Sequence, residues 1–226
     1  PLKVVRTIGT MWTDGSLIRH TAITLGETAA SFILVILFSF LTATLLWFFH
    51  SLSEILEPWL VILNSLPKSA LAPLLIVWLG ASMRTIIVAG MSVAIFGSII
   101  SMYTAFCETD PEAMKLIYTL GGNRLQVLTH VVCPSSLPSV ISILKVNIGL
   151  CLVGVIIGEF LAAKQGLGYL IIYGSQVFQM DMVVMSIILL CIMSAALYQG
   201  VGILGKFLQQ QYHQHTLHQF HDVHWH

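Results

Sequence analysis

Charge is what this chain has least of. Only 9% of its 226 residues are Asp, Glu, Lys or Arg, where a soluble domain carries about a quarter. The ten basic residues match the ten acidic ones and are scattered singly. That pattern leaves no basic stripe for a nucleic-acid backbone and excludes that class of partner. The four cysteines, Cys107, Cys133, Cys151 and Cys191, form no C-x-x-C pair, so neither a zinc knuckle nor a redox dithiol is indicated. They read as small apolar packing residues. No G-x-x-x-x-G-K-[ST] loop occurs, so the chain has no nucleotide-binding loop of its own. Also missing are H-E-x-x-H, paired aspartates at depth and a Ser/His dyad; His20, His50 and His130 lie at span boundaries or in a polar segment. A membrane-embedded enzyme lacks its reacting groups here.

What is present is oil. Apolar residues make up 57% of the chain and the mean hydropathy is +0.89, which fixes an integral membrane protein. A span needs about 20 largely apolar residues, and five segments qualify, near 29–49, 59–79, 85–106, 139–158 and 182–204. The expected fold is all-α, a polytopic bundle with five visible spans.

The second segment carries Pro67, Lys68 and Pro73 near its middle. Proline removes a backbone donor and disturbs the preceding turn. A charge at that depth faces protein or a watery cavity. Lys68, read as the one cation inside a span, either pairs locally or marks a polar-lined permeation route. After the fourth segment comes GEFLAAKQGLGYLIIYGSQVF. Gly166 and Gly168 mark a flexible turn, and Tyr169 and Tyr173 suit a membrane interface. Glu159 is expected to reach an aqueous vestibule, as a gate residue or as a hydrogen-bonded helix end.

Residues 205–226 form a polar tail with six of the nine histidines. A His-rich tract can bind a transition metal, but no Cys or paired carboxylate assists these histidines. No metal site is assigned, and a non-transporting scaffold or metal sensor with this tail is the alternative function.

Between the third and fourth segments, DPEAMKLIYTLGGNRLQVLTHVVCP concentrates charge. Asp110 can cap a helix with Pro111 in its first turn, and Glu112 complements the helix dipole. Met114, Ile117 and Tyr118 or Leu120 form one apolar stripe, and Leu125, Leu128 and Val131/Val132 another. Gly121-Gly122 turns between them, and Pro134 and Pro138 reset the chain before it re-enters the membrane. Residues 108–138 thus predict an amphipathic hairpin within a single domain over 1–204.

This hairpin resembles the coupling segment of ABC importer permeases that work with a binding protein. Their pattern is Glu-Ala-Ala, three residues, Gly, nine residues, an aliphatic residue, one residue, Leu-Pro. Gly121, Val131 and Pro134 match at that spacing, whereas Lys115-Leu116-Ile117 replace Glu-Ala-Ala and Cys133 replaces Leu. SLPKSALAPLLIVWLGASMRTIIV and GVIIGEFLAAKQGLGYLI also look like segments of the nitrate/sulfonate/taurine-type branch. The likeness covers essentially the whole chain.

The resemblance implies a homodimer or paired permease in the bacterial inner membrane. Two ATP-binding cassette subunits and an extracytoplasmic solute-binding protein would serve it, with no cofactor. It implies a sixth span upstream of the five, and places the hairpin and C-terminus in the cytoplasm. Charge counting leaves that orientation open: Lys115, Arg124 and Lys206 would be inside, but Lys3, Arg6, Arg19, Arg84 and Lys164 outside. The expected ATPase-docking residues are Glu112, Lys115, Leu116, Gly121, Gly122 and Arg124. Pro67, Lys68, Pro73, Glu159, Gly166 and Gly168 are expected to line or gate the pathway. The cargo class implied is a small polar solute, either an anion of the nitrate, sulfonate, taurine or bicarbonate kind, which Lys68 would suit, or a vitamin precursor.

Overall fold

A computed structural model describes residues 2–222. The chain is helical from end to end, with no strand among the described residues. In order come α1 (Leu2–Thr13), α2 (Ser16–Phe48), α3 (His50–Ser65), α4 (Lys68–Leu79) and α5 (Met83–Cys107). The hairpin helices α6 (Pro111–Thr119) and α7 (Arg124–Val127) follow, then a π turn over Leu128–Val132 and α8 (Cys133–Ala162). A short α9 (Leu167–Gln176) and the long α10 (Met180–Asp222) complete the chain.

Four stretches are long and apolar enough to cross a membrane: Ser16–Phe48, Met83–Cys107, Arg124–Ala162 and Met180–Phe207. Whether α3 and α4 form a fifth crossing follows from helix direction. Ser31 lies against Ile87 and Gly90, while Ala43 shares a cluster with Met102 and Phe106. Helices α2 and α5 therefore run parallel, and both end beside the hairpin. The chain between them must return across the bundle, so α3 and α4 are one broken span, bent by 93°.

The bend sits at Leu66-Pro67. Leu66 has ψ 141 and Pro67 ψ 96, the extended geometry that proline imposes on its predecessor. Pro73, expected to disturb the span as well, stays inside an unbroken α4. Its ring falls in the second turn, where the clash reaches only the uncapped helix start.

The core inverts the pattern of a soluble protein. On α2 the buried face is Thr24, Thr28, Ser31, Val35, Ser39 and Ala43, while Ile33, Leu37, Phe38 and Leu41 point outward. Lipid is as apolar as leucine, so helices associate by close approach of small residues and by hydrogen bonds between them. The α5–α8 crossing shows both. A Cβ on Gly154 would lie 2.8 Å from Gly90 Cα and 2.9 Å from the Ala89 carbonyl. Nearer the hairpin, Asn147 Nδ2 donates to Ser98 Oγ at 2.8 Å. Two larger clusters close the ends. At the hairpin end, Met102, Phe106, Val127, Leu128 and Val132 are buried together. At the far end Leu17, Leu152, Leu167, Leu170 and Met185 form the second cluster, onto which Val4, Ile8 and Met11 of α1 pack.

Three boundaries differ from expectation. The first span begins at Ser16, because Glu27 lies inside the helix and is buried. The hairpin's second arm does not stop at Pro134 but runs on as the fourth span, with Pro134 in the first turn of α8 and Pro138 within it. Pro134 offers no N–H to the turn before it, and the backbone widens there: Cys133 N–H donates to the Leu128 carbonyl, five residues back. Finally, α10 continues past Leu204 to Asp222, so the backbone of the expected tail is helical to that point. His224 and His226 lie outside the described residues.

Candidate functional site

The hairpin is built by local chemistry. Asp110 accepts from Glu112 N–H at 2.9 Å, capping α6 behind Pro111. Gly121 has φ +82, the left-handed conformation that ends α6 and that a side chain would strain. Gly122 has no room for a Cβ, which would meet the Ile117 side chain and carbonyl. Asn123 and Gln126 then form a reciprocal capping box that starts α7, with bonds of 2.8 and 2.9 Å.

Met114, Ile117, Val127, Leu128 and Val132 turn inward onto the ends of α2 and α5. Leu116, Tyr118, Leu120 and Leu125 stay exposed, Leu120 at 76%. Between them is a cavity of about 260 Å³ lined by Ile117, Leu120, Gly121, Gly122, Gln126 and His130. Of the expected docking residues Gly121 and Gly122 line this cavity, while Glu112, Lys115 and Leu116 lie on α6 before it, and all but the half-buried Gly122 are exposed. Arg124 is exposed too but is drawn back onto α2. Its guanidinium lies 5.6 Å from the Trp47 ring centroid and 5.8 Å from that of Phe48, and donates to the Trp47 carbonyl. Arg124 thereby clamps the hairpin to the bundle.

At the opposite end Glu159, Gly166 and Gly168 meet. Glu159 is completely buried, not open to a vestibule. Its Oε1 accepts from the Thr24 hydroxyl and its Oε2 from Gly168 N–H, both at 2.6 Å. Thr24 Oγ1 in turn accepts from Leu167 N–H at 2.8 Å, and Gly166 N–H donates to His20 Nδ1 at 2.9 Å. These bonds pin the start of α9 to α2 and α8. The two glycines are packing residues rather than a loose turn: a Cβ on either would fall on the Glu159 carboxylate, and Gly166 has φ +119. His20, Tyr169 and Tyr173 stack in sequence above the junction.

Thr24, His20 and Glu27 were not among the expected site residues. Glu27 also faces Glu159 and is 2% exposed, with its Oε2 unbonded. The available signal was Thr24, Glu27, Thr28 and Ser31 on one face of an apolar helix, hidden by starting that span at residue 29.

Midway along the bundle, Lys68 Nζ donates to Asn64 Oδ1 at 3.1 Å, a local pairing. Pro67 and Pro73 are exposed on the same broken span. Lys68 is not the single cation at depth. Lys145 lies within the fourth span, its Nζ 5.7 Å from the Tyr198 ring centroid between α8 and α10. Among the described residues no group of His, Cys, Asp and Glu is arranged to hold a metal.

Residues 35–213 match the family described as the binding-protein-dependent transport system inner membrane component. The chain belongs to that family. It is 31% identical over 191 residues to a probable ABC transporter permease protein of Haemophilus influenzae, covering 84% of this chain and 78% of that one. It is 28% identical to the riboflavin transport system permease protein RibX of Chloroflexus aurantiacus, over 70% and 59% of the two chains. With the putative aliphatic sulfonates transport permease protein SsuC of Bacillus subtilis it shares 24% over 92% and 75%. In fold it matches the inward-facing MetNI methionine ABC transporter with a TM-score of 0.72, at 17% identity, over 90% of this chain and 98% of that one. This permease is thus a multi-pass inner-membrane subunit of an ABC importer. It is not itself an enzyme, since ATP hydrolysis belongs to a partner subunit. Family membership displaces the scaffold or sensor alternative.

Proposed function

We propose that two copies of this permease pair to form the pathway for a small polar solute. Each copy seats the rim around Gly121-Gly122 on one cytoplasmic ATPase subunit, and a solute-binding protein delivers cargo at the opposite face. The observation that carries this reading is the hairpin's division of labour. One side is buried into the ends of α2 and α5, while the other exposes Leu116, Leu120 and Leu125, with Leu120 on the wall of a small cavity. Apolar residues held out at a polar end fit a partner's knob. Force applied there passes directly into α8, because α7, the π turn and α8 are one continuous helix. Rocking of such rigid spans about a packed core is a standard route between two states.

At the far end, the Glu159 junction holds α9 against α2 and α8, and we assign it the outer gate. Opening outward would separate Leu167 and Gly168 from Thr24 and Glu159. The polar network supports a two-state element, since its bonds are either all made or left unsatisfied in a dry site. RibX and SsuC are named for cargoes as different as riboflavin and sulfonates, so the proposed cargo is bounded by size and polarity.

The docking claim is tested by Gly121→Trp. The indole blocks the cavity and strains the positive φ, yet lies outside every buried cluster. Uptake is expected to fall at least tenfold while membrane insertion and ATPase activity of the free partner persist. Undiminished uptake removes the claim.

A further inference from the structure

We infer that Glu27 and Glu159 share one proton between α2 and α8, a proton-binding site that latches the outer gate. The latch rests on the gate reading of the α9 junction and supplies the group that holds it shut. First, the two carboxyl groups meet, and their side chains are hydrogen-bonded to one another. Ionised carboxylates only accept, so a bond between two carboxyl groups requires a hydrogen on one of them. Second, the site is dry. Glu159 is 0% exposed and Glu27 2%, with Thr24 and Thr28 beside them at 0%. Two negative charges in contact without water repel strongly, and carboxyl pairs so placed keep a proton between them.

Hydrogen-bond partners assign the proton to Glu27. Glu159 already accepts from the Thr24 hydroxyl and from Gly168 N–H, both at 2.6 Å, the surroundings of an ionised carboxylate. Among the described residues no donor reaches Glu27, and its Oε2 is buried without a partner. A neutral carboxyl group tolerates that lack far better than a charged one. Glu27 is therefore the acid that donates, and Glu159 the carboxylate that receives.

No cation stands in for the proton. On α2, His20 Nδ1 accepts from Gly166 N–H, so that nitrogen carries no hydrogen and the ring is neutral. Arg6 on α1, Arg19 on α2, Arg84 on α5 and Lys164 between α8 and α9 are exposed. Among the described residues no ion pair reaches either carboxylate. Helix α8 brings no other charge to this level, and α9 brings only Tyr169 and Tyr173, stacked in line with His20. Asp14 after α1 and Asp181 on α10 carry charge of the wrong sign. Opening outward would part α9 from α2 and α8 and admit water, in which glutamates ionise at neutral pH. The Glu27 O–H then breaks, its proton passes to the outer water, and two like charges resist closure until one proton returns. The closed gate thus holds one proton more than the open one, so falling pH favours closure and rising pH favours opening.

Infrared spectroscopy of the full chain in lipid nanodiscs reads the proton, because the C=O stretch of a protonated carboxyl group stands clear of the amide band. Such a band is expected at neutral pH in the native chain and is expected to vanish in Glu27→Gln. Its absence from the native chain, or its persistence in Glu27→Gln, overturns the site. Hydrogen exchange at the Gly168 amide reads the latch. Protection, corrected for the intrinsic exchange rate, is expected to fall about tenfold per pH unit from about pH 5.5 to about pH 7.5, the effect of one proton above the range of water-exposed glutamates. In Glu27→Gln the side-chain amide donates at every pH, so protection should not vary across that range. Protection independent of pH in the native chain, or an equal slope in Glu27→Gln, overturns the latch. If Glu27→Gln does not fold, the native band and the native slope still decide. The gate reading is tested apart, by a disulfide in Thr24→Cys with Leu167→Cys, which should stop uptake until it is reduced. Uptake through the linked form removes the gate and leaves the proton assignment to the infrared band.

Discussion

At the scale of single residues, Thr24 shows how much one hydroxyl does in a dry site. It donates to Glu159 and accepts from Leu167 N–H at once. Thr24→Val keeps the shape and strands both partners, each left unsatisfied at about 1–3 kcal/mol. The expected result is a loss of about 2–6 kcal/mol in stability of the α9 junction, whereas Thr24→Ser retains most of it. Hydrogen exchange of the Leu167 and Gly168 amides measures this: protection should drop in Thr24→Val and hold in Thr24→Ser. Equal protection in both would deny the hydroxyl its role. Legibility in the sequence was uneven at this scale. Glu159, Gly166 and Gly168 stand close together in sequence and could be singled out as a group; their partners on α2 lie over a hundred residues away and could not. Burial of Glu159 was misread for the same reason, since nothing near it in sequence announces the threonine that receives it.

At the scale of elements, the apolar runs announced the helices, and their small residues arranged them. Span centres were legible because lipid demands long apolar stretches. Ends were not, because they are decided by tertiary burial, as at Glu27, or by backbone chemistry, as at the π turn before Pro134. Hairpin periodicity was also only half legible. Met114, Ile117 and Leu128 do face the bundle, whereas Leu125, placed in one apolar stripe with Leu128, is exposed. The α5–α8 crossing offers a direct test. Gly154 meets the Gly90 backbone, so a branched side chain must push the helices apart. Overpacking of this kind costs about 1–3 kcal/mol or more. Gly154→Val is therefore expected to lower the thermal midpoint of the detergent-solubilised protein, while Gly149→Val, with open space around it, should leave the midpoint nearly unchanged. Equal effects at both glycines would mean that the close approach contributes little.

At the scale of the whole molecule, the two ends of the bundle carry different chemistry along shared helices. One end exposes a hairpin rim; the other seals α9 with a buried carboxylate; α8 joins them without a break. Composition and the coupling-segment likeness made this overall plan legible, down to Gly121 as the turn. What they could not show was that Arg124 turns back onto Trp47 to fix the hairpin's angle. The central claim is that the hairpin rim is where an ATP-hydrolysing subunit grips the permease. A photo-crosslinking phenylalanine analogue in place of Leu120, the most exposed large apolar residue of the hairpin, tests it in intact cells. The account predicts a dominant adduct between the permease and a nucleotide-binding polypeptide, weakened when Gly121→Trp is added. An adduct confined to an extracytoplasmic protein, or a nucleotide-binding adduct undiminished by Gly121→Trp, would contradict it.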